Sequence, residues 1–160
     1  VRVDPSEGAY PSGLTAMASA AHTLFLMTAS RRYERAAREA MRLVAGPATS
    51  VPSAFGAALA LMSRVDGEGR QLVVVRPAGS PDTDADADAD ADADPAGLVA
   101  AARRHPADLV AIVDETRAAV LAEAGFELFE GRTARDGLPT AYLCRDFVCR
   151  LPVTSPAGLA

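Results

Sequence analysis

The sequence predicts a mixed fold, with helix hairpins in the first part of the chain and a small α/β unit in the second. In the first 65 residues, apolar side chains recur at spacings of three and four, which is the period of a helix with one buried face. Beyond Gly67, two short runs rich in β-branched residues flank a predicted helix. This order of strand, helix and strand is typical of a βαβ unit.

The first part contains three predicted helices. The first covers about 13–29, with Ser12 as its N-cap, because a serine hydroxyl can accept a hydrogen bond from an unpaired N–H group of the first turn. The second begins near Arg31 and ends at the Gly–Pro pair at 46–47, a typical helix stop. The third begins near Pro52, whose fixed backbone angle suits a first turn. Short connections between three helices predict antiparallel hairpins.

The second part begins where the apolar period changes, near Gly67. We predict strands at Leu72–Val75 and Leu109–Val113, with a helix at Ala96–Arg104 between them. Another short helix, around Arg117–Ala124, precedes the segment FELFE, which we interpret as a strand, and then the cysteine-bearing end of the chain. These elements are expected to form one small α/β layer.

An insert of alternating Asp and Ala separates the two predicted strands. It occupies residues 80–94 and carries seven aspartates, which repel one another and disfavour both strand and helix. We therefore predict a disordered, solvated insert. Weak Ca²⁺ capture is a less favoured alternative, since the insert lacks the glycine turn and bidentate glutamate of an EF-hand loop. The remaining chain is assigned to a helical part, 1–66, and an α/β unit, 67–79 with 95–160.

Composition narrows the class of protein. With 49% apolar and 23% charged residues, and no apolar run near the roughly 20 residues that a membrane helix needs, we expect a cytoplasmic globular protein without a membrane partner. All 16 basic residues are arginines, spread along the chain without interleaved aromatics, so no nucleic-acid partner is expected. The sequence begins at Val1 rather than at Met, and we expect a fragment of a longer protein.

Both cysteines lie in the segment AYLCRDFVCRLPV, with four residues between Cys144 and Cys149. In one continuous strand the two side chains face opposite sides, so no disulfide can form. If Arg145 and Asp146 form a two-residue turn, the cysteines become diagonal neighbours about 7–8 Å apart at Cα, beyond the usual reach of a disulfide. We therefore favour unlinked thiols that serve as small apolar side chains.

Two alternatives for the cysteines stay open. A switchable disulfide is one, because Arg145 and Arg150 lie beside the thiols in sequence and favour thiolates. A metal site with His22 and His105 is the other, although the spacing matches no zinc motif. Each histidine is more simply explained as a structural residue, since no nucleophile with an orienting acid is visible near either.

No catalytic residue, cofactor or metal is predicted from the residues alone. Glu127 and Glu130 in the FELFE segment are interpreted as its solvent face. The chain has no glycine-rich phosphate loop, and Gly67 to Gly69 form only a turn. The residues therefore do not define a reaction, and complete enzymatic activity in this chain is not expected.

Two stretches resemble a known family. The end, DGLPTAYLCRDFVCRLPV at Asp136–Val153, resembles the C-terminal signature of large thioredoxin-domain-containing proteins of the YyaL type, which include the spermatogenesis-associated thioredoxin-like proteins. Near the start, AYPSGLTAMA resembles the family segment in which a PSGNS-like motif opens a barrel helix. The order of the predicted elements is also similar to that family, so the resemblance covers most of the chain.

The resemblance implies an architecture. Members of that family have an N-terminal thioredoxin-like domain followed by an (α/α)6 toroid, like that of N-acylglucosamine 2-epimerases and six-hairpin glycosidases. The expectation is therefore helix hairpins from an (α/α)6 toroid, followed by a small α/β C-terminal unit. Tyr10, Ser12 and Gly13 become candidates for the rim of a cleft, whereas Leu14 and Thr15 replace the polar pair of the family motif.

The leading functional hypothesis follows from this resemblance. The chain is expected to complete the toroid of a carbohydrate-related protein and to supply one wall of a cleft for a sugar-like small molecule, without a complete active site. Its partner is then the missing N-terminal part of the same protein. The alternative is a thiol-switch or interaction module that uses Cys144 and Cys149. An independent epimerase or glycosidase is disfavoured, because no paired carboxylates stand at a recognisable helix start.

Overall fold

A computed structural model of the chain describes residues 6–80 and 96–159. The chain divides into two compact units, Val1–Gly69 and Arg70–Ala160, here termed the helical unit and the α/β unit. The predicted disordered insert, with its alternative as a calcium site, lies almost entirely outside the described residues. No helix in the described ranges is long and apolar enough to cross a membrane.

Three α-helices form the helical unit. They are α1 (Gly13–Thr28), α2 (Arg31–Ser50) and α3 (Gly56–Asp66), with a 3-10 helix at Pro52–Ala54 before α3. The predicted N-cap of α1 is confirmed, because the Ser12 hydroxyl accepts a hydrogen bond from the Thr15 N–H at 3.2 Å. Between α1 and α2, the chain turns through Ala29, whose φ of 54° is left-handed.

Helix α2 continues through the Gly–Pro pair at 46–47, so the predicted stop there is wrong. Pro47 removes one backbone donor, but the carbonyl that loses it belongs to Leu43, whose side chain is exposed to water. Beyond the proline, Ala48 is fully buried and anchors the last turn in the core. The hydroxyl of Thr49 also donates to the Ala45 carbonyl at 3.0 Å. Packing therefore outweighs the helix-breaking tendency of proline at this position.

The start of α3 is held by a residue far away in sequence. Pro52 begins the short 3-10 helix, and α3 itself begins only at Gly56, later than predicted. The carboxylate of Glu7 accepts hydrogen bonds from the N–H groups of Ala57 and Ala58, at 2.9 and 3.1 Å. These two donors have no partner within the helix, and a negative charge at a helix N-terminus is stabilising. Glu7 therefore caps the N-terminus of α3, although it is not adjacent to that helix in sequence.

The prediction of an (α/α)6 toroid is wrong. In the described residues, the chain forms a small mixed α/β fold with five α-helices and a four-stranded mixed sheet. The physical reason lies in the core of the helical unit, where α1, α2 and α3 pack together around one shared apolar cluster instead of in the concentric helix layers of a toroid. That cluster contains Ala18, Ala37, Ala40, Met41, Val44, Ala48, Phe55, Ala58, Leu61 and Val65.

The α/β unit is built on a sheet with the strand order β2-β1-β3-β4. Its elements are β1 (Arg70–Arg76), α4 (Leu98–Arg103), β2 (Leu109–Asp114), α5 (Glu115–Glu123), β3 (Thr140–Arg145) and β4 (Val148–Cys149). β1 pairs with β2 in parallel, and α4 lies between them in sequence, so the predicted order of strand, helix and strand is present. β3 pairs antiparallel with both β1 and β4.

The side chains of the central strand β1 point alternately to the two faces of the sheet, and these faces have different surroundings. Leu72 and Val74 point toward α4 and belong to the core cluster that also contains Leu98 and Val99. Because side chains alternate along a strand, Gln71 and its alternate neighbours point to the opposite face. Gln71 is aligned with Cys144 of β3, so both residues lie on that opposite face. This face carries the candidate site.

The FELFE segment is not a strand. Glu127–Phe129 forms a 3-10 helix, and its apolar residues Leu128 and Phe129 are buried while Glu127 and Glu130 are exposed. The preceding helix α5 ends at Glu123, and Gly125 follows with a left-handed φ of 87°. The adjacent residues Leu128 and Phe129 are both buried, which does not fit the alternation of a half-buried strand and explains the difference from the prediction.

Candidate functional site

The two cysteines are joined by a disulfide bond. Cys144 of β3 and Cys149 of β4 stand directly opposite each other in the antiparallel register, with their Cα atoms 3.9 Å apart. The next pair outward from the turn is hydrogen-bonded, since the Arg150 N–H donates to the Leu143 carbonyl at 3.0 Å. The cysteines therefore occupy a non-hydrogen-bonded pair, where side chains come closest. The interpretation of unlinked thiols is wrong.

The reason for this error is a shift of the turn by one residue. The β3–β4 hairpin turns at Asp146 and Phe147, not at Arg145 and Asp146, and this places Cys144 opposite Cys149 instead of on a diagonal. Both turn residues have left-handed backbone angles, with φ of 45° and 68°. Such a turn normally contains Asn or Gly, and a bulky residue like phenylalanine adopts it only at a cost.

A buried polar side chain supports this costly turn. The N–H of Phe147 donates to the side-chain carbonyl of Gln71 at 3.3 Å. Gln71 is fully buried in β1, in a strand that is otherwise apolar between its two terminal arginines. A buried amide needs partners, so Gln71 in the sequence RQLVVVR was a signal that a neighbouring strand presents polar backbone groups at this level. The hydrogen bond to Gln71 and the disulfide thus both support the turn.

An arginine contacts the disulfide directly. Arg132 donates from Nη2 to the Cys149 Sγ at 2.9 Å. Its guanidinium carbon lies 5.1 Å from the centre of the Tyr142 ring. The sequence indicated Arg145 and Arg150 as the cations beside the thiols, but the guanidinium at the sulfur belongs to Arg132. No spacing rule predicts this contact, because the two residues are 17 positions apart.

The position of Arg132 is fixed by the tyrosine of the same strand as Cys144. The Tyr142 hydroxyl donates to the Thr133 carbonyl at 2.8 Å and accepts from the Thr133 N–H at 3.2 Å. Both bonds attach the residue after Arg132 to β3, and the ring of Tyr142 lies under the guanidinium. This attachment does not involve either sulfur.

The two sulfurs differ in their exposure. Cys144 is buried, with 1% of its surface exposed, whereas Cys149 is half-buried and follows Val148, which is 76% exposed. A cavity of about 110 Å³ lies beside Cys144. Its lining residues are Glu127, Leu128, Glu130, Arg132, Cys144 and Phe147. Of the two cysteines, Cys149 is therefore the more exposed residue.

The structure places the three candidate cleft-rim residues at the start of α1 and just before it. Tyr10 is 83% exposed, Ser12 is buried in its capping role, and Gly13 is the first residue of α1. The hydroxyl of Ser12 also lies 3.1 Å from that of Thr15, so its polar capacity is used within the helix start. A cavity of about 190 Å³ in the helical unit is lined by residues of α2 and α3 and by none of these three.

The structure gives no support to a metal site. Among residues 6–80 and 96–159, no three His, Cys, Asp or Glu side chains lie close enough to hold an ion. His22 is buried on α1, with its ring centre 6.4 Å from that of Phe25. His105 follows α4 and is half-buried. Both cysteine sulfurs are bonded to each other, which removes them as ligands in this state.

Comparison of the chain with family models, with curated proteins and with solved structures finds no match. Membership of the family that the sequence resembles therefore stays a prediction.

Proposed function

We propose that the α/β unit is a thiol–disulfide switch, with the bonded and the reduced forms of Cys144 and Cys149 as its two states. One observation carries this proposal: the pair closes an edge hairpin while the Arg132 guanidinium contacts the half-buried sulfur. A cation beside a cysteine favours the thiolate, which is the reactive form in disulfide exchange. Structural cysteines in apolar surroundings lack this feature.

The β3–β4 hairpin is the part of the protein that we expect to change its structure when the disulfide is reduced. β4 has only two residues, and both turn residues before it have left-handed backbone angles that cost on the order of 1–3 kcal/mol each. A bond across a loop this short contributes about 2 kcal/mol in the chain-entropy account. Without the bond, hydrogen bonds such as those from Phe147 to Gln71 and from Arg150 to Leu143 have to hold the hairpin. Reduction is therefore expected to release the end of the hairpin from the sheet.

A cytoplasmic location fits this function, because glutathione and thioredoxin in that compartment keep exposed disulfides in exchange with thiols. The sugar-binding function that depended on a toroid is not retained, since the helices do not form one. No complete enzymatic activity is proposed for the chain. The α/β unit instead presents a hairpin at the edge of its sheet whose order depends on the redox state of one bond.

Thiol trapping with mass spectrometry tests the proposal. The full chain is equilibrated in glutathione buffers of graded potential, alkylated, and digested, and the peptide with both cysteines is weighed. We expect a reversible loss of two hydrogens across the physiological range of potentials. The Cys144→Ser variant is the matched control and shows no internal bond. A pair that stays oxidised in reducing buffer, or stays reduced in oxidising buffer, contradicts the proposal.

A further inference from the structure

We infer that the two cysteines have different roles, with Cys149 as the attacking thiolate, Cys144 as the resolving cysteine and Arg132 as the positioning residue of Cys149. This inference rests on the proposed switch and adds its chemistry. It follows from two independent observations, which are the difference in exposure between the two cysteine residues and the attachment of Arg132.

Exposure decides which sulfur an external reagent reaches. Disulfide exchange requires the incoming sulfur to approach the bond in line with the sulfur that it attacks, so access selects the site of attack. Cys149 is half-buried, and its neighbours Val148 and Arg150 are exposed. Cys144 has 1% of its surface exposed. External thiols and disulfides therefore react at Cys149.

The cavity beside Cys144 does not reverse this preference. It is small, at about 110 Å³, and its lining includes Glu127 and Glu130. Cys144 has only 1% of its surface exposed, so an external thiol has less contact with it than with Cys149. We therefore expect Cys144 to react mainly with Cys149 inside the protein.

Arg132 makes Cys149 the more acidic thiol of the pair. In the reduced protein, the guanidinium that now donates to Sγ at 2.9 Å faces a thiolate, and a charge-assisted hydrogen bond favours that form. The Arg132 Nε is buried and has no hydrogen-bond partner among the described residues. Tyr142 and Thr133 hold the guanidinium without help from the disulfide.

Five other charged side chains lie near the two cysteines, and their effect on a thiolate has to be compared with that of Arg132. On the hairpin they are Arg145, Asp146 and Arg150, and in the cavity they are Glu127 and Glu130. All five are solvent-exposed, which weakens their effect on a thiolate through screening. Arg132 is half-buried, and its contact is direct.

The oxidation step is balanced with a low-molecular-weight disulfide as the oxidant. The Cys149 thiolate attacks one sulfur of the external disulfide, a mixed disulfide forms at Cys149, and one external thiolate leaves. Cys144 then loses its proton to solvent, and its thiolate attacks the Cys149 sulfur. The internal bond forms and a second external thiolate leaves, so two protein thiols are oxidised while the external disulfide is reduced to two thiols. Reduction follows the same steps in reverse.

Alkylation of the reduced full chain with iodoacetamide, followed for each cysteine by peptide mass spectrometry between about pH 5 and pH 9, tests the assignment. We expect Cys149 to react about 10-fold faster than Cys144 near pH 6. Arg132→Gln should slow Cys149 by about 10-fold there and move its profile to higher pH, and Arg132→Lys should restore part of the rate. Arg135→Gln, an exposed arginine of the same loop, is the matched control and should change neither profile.

A second measurement keeps the inference falsifiable if Arg132→Gln folds poorly. With oxidised glutathione, Cys144→Ser should accumulate a mixed disulfide at Cys149, and Cys149→Ser should form one at Cys144 at least about 10-fold more slowly. Equal rates, or faster reaction at Cys144, overturn the assignment of roles. If the pH profile of Cys149 alkylation is unchanged in Arg132→Gln, Arg132 does not position Cys149. If the glutathione titration still shows a reversible internal bond in either case, the proposed switch stands and only this inference falls.

Discussion

The two units of the chain secure a vulnerable element in different ways. In the helical unit, the carboxylate of Glu7 holds the start of α3 through two backbone hydrogen bonds. In the α/β unit, a covalent bond between Cys144 and Cys149 holds the edge hairpin. The first attachment requires that the Glu7 carboxylate is not protonated. The second is lost when the disulfide is reduced by two electrons. Acid should therefore loosen the helical unit and a reductant should loosen the α/β unit, and neither should affect the other unit to the same extent.

The largest effect is expected from removal of the disulfide. Cys149→Ser should lower the free energy of unfolding of the α/β unit by about 2 kcal/mol, because the short cross-link no longer restricts the unfolded chain. The exchange of the Val74 amide in β1 under native conditions measures this unit, and the exchange of the Val44 amide in α2 serves as the internal reference. An equal loss at both amides contradicts the separation of the two units.

A somewhat smaller effect is expected in the helical unit from Glu7→Gln. The variant keeps the shape of the side chain but loses the charge at the start of α3, which should cost about 1 kcal/mol. Faster amide exchange at Ala57 and Ala58 is the direct readout. Glu39→Gln, at an exposed position of α2, is the control and should leave both amides unchanged. Unchanged exchange in Glu7→Gln means that the carboxylate is not the cap.

The same carboxylate predicts how the helical unit responds to pH. Burial acts to raise the pKa of Glu7, but hydrogen bonds from the Thr15 side chain and from backbone N–H groups of the unit together lower it. Hydrogen bonding from Arg31, opposed by burial and reinforced by Arg38, lowers the pKa of Glu34. A pKa that is lower in the folded state adds stability above the unfolded value and loses it as the pH falls through the folded value.

Unfolding of the helical unit should therefore become easier as the pH drops below the usual carboxyl range, while the disulfide keeps the hairpin closed. Amide exchange of α3 in wild-type and Glu7→Gln protein, recorded across this acidic range, measures the effect. The variant should show a flatter dependence on pH, because one of the two shifted carboxyls is gone. Parallel curves for the two proteins contradict the assignment to Glu7.

The smallest effect is expected from Tyr142→Phe. The variant loses the two hydrogen bonds to Thr133 and should cost about 1 kcal/mol or less in the α/β unit. Its more specific consequence is a looser Arg132, so alkylation of reduced Cys149 near pH 6 should slow by about threefold. Tyr33→Phe in the helical unit is the control. A Tyr142→Phe protein with normal alkylation indicates that the ring alone positions the guanidinium.

Sequence reasoning succeeded where a repeating pattern is local. The local apolar pattern predicts α1, α2, β1 and β2, because the residues that each element buries follow a pattern within that element. The toroid was wrong because it came from a family resemblance, and short stretches of similarity do not specify which helix faces meet. The extension of α2 past Pro47 likewise depends on the burial of Ala48, which is a tertiary effect.

The candidate site was only half predictable. Cys144 and Cys149 were recognised, but their register depends on a turn with a left-handed phenylalanine, which turn rules disfavour. The hydrogen bond to Gln71 and the disulfide are among the contacts that support that turn. Arg132 was missed because its contact with Cys149 arises when a loop folds back over Tyr142. A contact between residues that are distant in the chain has no characteristic spacing in the sequence from which it could be predicted.

The most direct test of the account compares amide exchange in the oxidised and the reduced full chain at constant pH. The account predicts that reduction accelerates exchange at Phe147 and Arg150, whose N–H groups hold the hairpin to Gln71 and Leu143, while Ala57 and Ala58 of the helical unit keep their rates. Unchanged exchange at Phe147 and Arg150 after complete reduction contradicts it, because the bond then controls nothing at the edge of the sheet.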